Sequence, residues 1–260
     1  MESAEFDKLY SRLDDYSRKA ERGEVAVSGF LSPRELRVGC EYLARKKQIY
    51  LSLGGYVGAE RCRILLLPDY MEVVSSGEEL SDYGTDTEIR AVRIVGSGYK
   101  IFTHRDFLGS LLALGIERAV LGDIVVDDDG YGAYVFCDRR ISEFIISECD
   151  RIGNDKVRCS LADIGADFSA NRKTQAISDT VSSPRLDAIV GALVSVSREK
   201  AKELVVGGLC EVDFEPEQRC DRAINDSSLI SIRGYGRFRI ISVDGKTKKG
   251  RIRLLAEKFI

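Results

Sequence analysis

Hydrophobic side chains recur at helical spacing near the start of the chain. Phe6, Leu9, Leu13, Tyr16 and Ala20 share one face and charged residues fill the rest. Gly23 supplies a stop. Ser32-Pro33-Arg34-Glu35 then reads as a helix start, with Ser32 as N-cap, Pro33 at N1 and Glu35 closing a capping box, and this helix should run to Lys46. Residues 48–53 and 61–67 read as strands on either side of Gly54-Gly55-Tyr56, and an acidic Ser/Gly-containing stretch at 75–86 predicts a linker or boundary.

The pattern then changes to alternation. Residues 88–95 form a β-branched strand, Thr103 and Asp106 cap a helix running through Leu112, and residues 121–126 and 131–136 are strands joined by Asp127-Asp128-Asp129-Gly130. A helix over 141–151 and a strand over 156–161 follow. Strand-helix-strand-strand-helix-strand is the order of a ferredoxin-like βαββαβ unit, the topology that also underlies the RRM, and as a superfold it does not identify function. Residues 169–183 are polar and predict a flexible linker. Two short helices (185–194, 197–206) end at Gly207-Gly208, and strands at 209–214, 229–233, 237–243 and 251–257 follow, with Asp244-Gly245 as a turn. The chain is therefore expected to be an α+β protein: an N-terminal αβ domain (1–80), an RRM-like middle domain (81–168), a linker (169–183) and a C-terminal module (184–260).

Charge singles out that last module. Residues 182–260 carry 15 lysines and arginines against 11 acids, net +4, which leaves −7 on residues 1–181 of a chain with net charge −3. A basic block on an acidic protein is the electrostatic footprint of a polyanion partner. No apolar run approaches the ~20 residues needed to cross a bilayer, so no membrane is expected. The acidic N-terminus does not resemble a secretory signal. Seven scattered cysteines without a Cys-x-x-Cys pair point to reduced thiols in a cytoplasmic protein rather than to disulfides or zinc.

Arg185-Leu186-Asp187, then Ser197-Arg198-x-Lys200-Ala201, then Gly207-Gly208-Leu209-x-Glu211-Val212 resembles the S-four RNA-binding domain, or alpha-L motif. The helix-two residues Ser197, Arg198, Lys200 and Lys202, with Arg185, would cradle phosphates through side-chain charge and free backbone N–H groups. The basic residue usual in the glycine turn is absent. Gly54-Gly55-Tyr56-Val57-Gly58-Ala59-Glu60-Arg61, the run from Thr103 to Ile116, Gly122-Asp123-Ile124 and Arg233-Gly234-Tyr235-Gly236-Arg237-Phe238 look like the bacterial YlmH family. That resemblance implies an RNA-binding, ribosome-associated protein linked to rescue of stalled large subunits carrying peptidyl-tRNA.

Other motifs weigh less. His104-Arg105-Asp106 lacks every companion of a kinase catalytic loop, so His104 and Arg105 are read as a secondary RNA or interdomain contact. Arg233, Tyr235 and Arg237 surround glycines that let a backbone approach RNA, and Lys246, Lys248 and Lys249 add positive charge. Asp127-Asp128-Asp129 lacks the rest of a calcium loop, and no metal or other cofactor is expected. The reading is a monomeric, non-enzymatic protein docking on ribosomal RNA of the large subunit, with tRNA as a further partner. RNA modification, ribosome assembly and a cell-division adaptor are the rivals.

Overall fold

The computed structural model describes residues 2–71, 89–165, 168, 170, 174–247 and 250–259, so the expected 75–86 linker, Lys248 and Lys249 lie outside the described residues. In chain order the elements are α1 (Glu2–Glu21), β1 (Ala26–Val27), α2 (Pro33–Arg45), β2 (Tyr50–Leu53), β3 (Arg63–Leu66), β4 (Ile89–Val95), α3 (His104–Ala113), a 3-10 turn (Arg118–Val120), β5 (Leu121–Val126), β6 (Gly132–Asp138), α4 (Arg139–Glu148), β7 (Arg151–Ile152), β8 (Asp155–Lys156) and β9 (Arg158–Ala162). After these come β10 (Thr174–Val181), α5 (Leu186–Leu193), α6 (Arg198–Val206), β11 (Cys210–Val212), β12 (Glu215–Pro216), β13 (Leu229–Ile232), β14 (Gly236–Lys246) and β15 (Ile252–Phe259). The chain divides into two compact units, residues 1–170 and 171–260.

Among its described residues the first unit holds two larger sheets and the short β7-β8 hairpin. The smaller has the order β1-β3-β2, and α1 and α2 cover it through Phe6, Leu9, Leu13 and Leu43 packed on Ile64 and Leu66. Ser32 and Glu35 close the expected capping box of α2, the Glu35 carboxylate accepting from Ser32 N and Oγ at 2.8 and 2.7 Å. The larger sheet is antiparallel in the order β5-β6-β4-β9, with α3 and α4 on one face. Asp106 accepts from Thr103 N and Oγ1 at the start of α3, and Gly130 turns β5 into β6 with φ +74°.

The second face of that larger sheet is covered. Phe136 and Tyr134 alternate with the buried Val135 and Cys137, so they point away from the helices. Tyr56 and Phe168 close over them, with ring centroids 4.6 Å for Tyr56–Phe136 and 5.2 Å for Tyr134–Phe168. Gly55, at φ +91°, is needed there, since a Cβ would stand 2.7 Å from the Phe136 ring. Buried ions lock the same junction. Asp123 accepts from Tyr56 Oη (2.6 Å), Glu60 N (2.8 Å) and Arg61 N (3.0 Å), and Arg63 pairs with Asp138 at 3.3 Å, both nearly fully buried. Residues 2–71 and the 89–162 sheet thus keep separate cores and meet at a packed junction.

The second unit is one antiparallel sheet, β10-β15-β14-β13-β11-β12, with α5 and α6 on its inner face. Its core runs through Leu186, Ile189, Leu204, Ile230, Phe238, Ile240 and Leu254. Three expectations need correcting. Most of the expected 169–183 linker is strand β10, which pairs with β15 from Thr174↔Phe259 to Val181↔Ile252, because the apolar Ile177 and Val181 meet the core despite polar neighbours. Asp244-Gly245 is no turn. It is a register shift inside β14, and the chain reverses beyond it, where Gly250 N donates to Thr247 O. The strand expected over 209–214 stops at Val212, because Asp213 and Phe214 take φ of +52° and +68° and fold the chain back into β12.

Candidate nucleic-acid interface

Asp187 organises the start of α5. Its carboxylate is fully buried and accepts from Arg185 Nε at 3.1 Å and from Arg198 Nε and Nη2 at 3.3 Å each. Burial pushes its pKa up, but the two guanidinium contacts outweigh that and hold it below the usual carboxylate range. The arginine side chains themselves stay 40% and 55% exposed. Each is therefore anchored by one edge and offers the other to solvent, which preorganises it for an anion. Sequence reasoning named both arginines and overlooked the carboxylate that aims them.

Helix α6 starts beside them. Ser197 caps it by accepting from Lys200 N at 3.2 Å, which leaves neighbouring N–H groups at the positive end of the helix. Lys200 Nζ pairs with Glu203 at 2.8 Å, a contact that raises its pKa, with a smaller contribution from the nearby Tyr235 phenol. Lys202 is exposed one turn on from Arg198. Arg233-Gly234-Tyr235-Gly236 forms the tight turn between β13 and β14, with φ of +87° and +117° at the glycines; Arg233 is exposed and Tyr235 is half-buried against the core.

Arg237 does not join this group. It leaves β14 on the face opposite the buried Phe238 and lies over the Phe214 ring at 5.6 Å. Arg239, on that same outer face, lies over Phe259 at 5.4 Å and opposite Glu257. Lys246 ends β14. His104 and Arg105 lie at the first turn of α3 in the other unit, solvent-accessible at their surface, and partial desolvation of the imidazole by its neighbours, with the Arg118 charge, lowers the His104 pKa.

A second clamp was missed by sequence reasoning. Glu217 is buried and accepts from Arg219 Nε and Nη2 at 3.1 and 3.0 Å and from Arg222 Nη1 at 3.3 Å. Chiefly through the Arg219 hydrogen bond, its pKa falls to about 2. The backbone sets the two clamps side by side: Leu186 N donates to Arg222 O (2.9 Å) and Asp187 N to Cys220 O (3.1 Å). Four guanidiniums, each at least 39% exposed, therefore stand around two buried carboxylates. The only sequence signal was Glu217-x-Arg219, too common to stand out.

These domains have relatives. Residues 6–71 match the family model described as "YlmH, N-terminal", and residues 85–165 match "Putative RNA-binding domain in YlmH". Together the two matches span more than half of the chain, which belongs to the YlmH family. "Ribosome-associated protein quality control protein P2" of Bacillus subtilis (strain 168) is 29% identical over 239 residues, covering 92% of this chain and 89% of that protein. A solved structure, "Cell division protein ylmH from Streptococcus pneumoniae", is similar in fold with TM-score 0.50 and 22% identity, covering 61% of this chain and 92% of its own.

Proposed function

We propose that this chain is a ribosome-associated RNA-binding protein of translation quality control, without catalytic activity of its own, acting as a cytoplasmic monomer. Its C-terminal unit is read as an S-four module that docks on ribosomal RNA of the large subunit, with tRNA as a second partner. The observation that carries this is the pair of buried-carboxylate clamps, Asp187 and Glu217, each presenting two exposed arginines at the start of α5, with Arg198 also at the α6 N-terminus. The Bacillus subtilis relative, ribosome-associated by name over nearly its whole length, supports the partner. The strand order of the middle sheet supports an RRM-like unit, and the aromatic cover on its second face supports a structural role for that face. The clamps add a C-terminal RNA contact to the middle domain, whose family model is itself described as a putative RNA-binding domain.

Sedimentation tests this reading. At low salt the protein should travel with large subunits and leave them as salt rises, since phosphate contacts release counterions. Protein that stays at the top of the gradient at low salt, with translation stalled as well as unperturbed, overturns it.

A further inference from the structure

The first unit has a solvent-open cavity of about 390 Å³ where α1, residues 28–32, Arg61 and the Arg118-Ala119 turn meet. That size lies within the usual range for small-molecule sites. Leu9, Leu13 and Phe30 form an apolar wall, while Arg12, Arg61 and Arg118 bring three positive charges. Glu35 is the single acid among the lining residues, and its carboxylate is already engaged by Ser32.

Among the described residues neither inner arginine has a carboxylate at ion-pair distance; Glu35 and Asp123 act on Arg61, and Asp123 on Arg118, from farther away. Arg61 donates to the carbonyl oxygens of Leu121, Phe30 and Arg118, at 3.0 Å each, so backbone dipoles hold it and no carboxylate does. Burial and repulsion from Arg118 push its pKa down to about 10. Arg118 Nη1 is buried with no hydrogen-bond partner, so turning that guanidinium toward an anion gives up no hydrogen bond there. The lining sets three arginines against the one carboxylate of Glu35, a positive surplus that suits a dianion. A phosphate monoester carries close to two negative charges at neutral pH.

We propose that this cavity binds the 5′-phosphate of a ribonucleotide, with Arg61 and Arg118 on the phosphate, Arg12 at the mouth and the Leu9, Leu13 and Phe30 wall beside the sugar and base. Arg61 and Arg118 come from the two halves of the first unit, so the ligand ties those halves together. The site is separate from the C-terminal clamps and does not rest on their role.

Calorimetric titration of the full-length protein at constant ionic strength tests it, using AMP, adenosine, inorganic phosphate and a short RNA bearing either a 5′-phosphate or a 5′-hydroxyl. AMP should bind at least about tenfold more tightly than adenosine, the effect of one lost charge-assisted contact. Arg118→Met should reduce that preference about tenfold. Arg12→Met, an exposed position that leaves folding intact, should weaken it as well. A 5′-phosphate preference in the RNA pair identifies an RNA end as the source, and one seen with AMP alone identifies a free nucleotide; both support the site. Equal binding of AMP and adenosine with no 5′-phosphate effect overturns it. So does an unchanged preference in both arginine variants.

Discussion

Two antiparallel sheets in this molecule each carry helices on one face, and they differ in what happens on the other. In the middle sheet Tyr134 and Phe136 point to the second face, where Tyr56, Phe168 and Gly55 cover them. In the C-terminal sheet the second face has no such aromatic cover among the described residues of its own unit: Arg239 and Arg253 are exposed there, and Leu255 is 45% exposed. Aromatic residues on an open sheet face can stack on bases, and here intramolecular packing has taken them up. The availability of a face decides its role, and topology alone does not.

The comparison predicts its largest effect on stability. Phe136 is 1% exposed and packed on three aromatic or glycine neighbours, so Phe136→Ala should cost about 3–5 kcal/mol. Arg239→Ala on the open sheet should stay within about 0.5 kcal/mol. Thermal melts of both variants decide the point, and similar losses in the two would mean that the middle sheet is not closed in the sense argued here.

Most helices were legible because caps are local. Ser32, Thr103 and Ser197 each announce a helix start within four residues, and α2, α3 and α6 begin where those residues say. What escaped depends on distant partners. Strand β10 reads as a polar linker because its partner β15 lies about 80 residues away, and residues such as Gln175 and Asp179 are tolerated on an edge strand. The arginines of the candidate site were visible as charge, whereas Asp187 looked like part of a motif and Glu217 like ordinary surface; only burial reveals that each aims a pair of cations. Arg237 reads as one of the RNA contacts beside Arg233 and Tyr235, but strand alternation sends it to the outer face.

The second effect concerns pH and belongs to the C-terminal unit alone. Glu217 titrates at about 2 when folded, against an ordinary 4.5. Its contribution is therefore complete above 4.5 and is lost as pH falls toward 2, because the unfolded chain takes up the proton first. Its arginine partners are partly exposed, which limits the contribution to about 1–2 kcal/mol. Denaturant unfolding followed by circular dichroism at pH 6 and pH 3 should show the parent losing more stability over that interval than Glu217→Gln. Equal losses would remove the clamp from the argument.

The smallest effect on stability should be the most informative about RNA. Lys202 is exposed and pairs with no buried acid, so Lys202→Ala should leave the melt within about 0.5 kcal/mol. If it meets a phosphate, affinity should fall for all RNA sequences alike, and the slope of log affinity against log salt should shrink by about 0.7–0.9. Arg198→Ala should lower the slope similarly but also cost roughly 1 kcal/mol, because it leaves the buried Asp187 with a single guanidinium. The pair separates charge from positioning: a slope change without a stability change marks a pure contact, and both together mark a cation held by the fold. An unchanged slope in the double variant Arg198→Ala, Lys202→Ala would move the phosphate site away from α6, leaving the exposed sheet face with Arg239 and Arg253 as the next place to test.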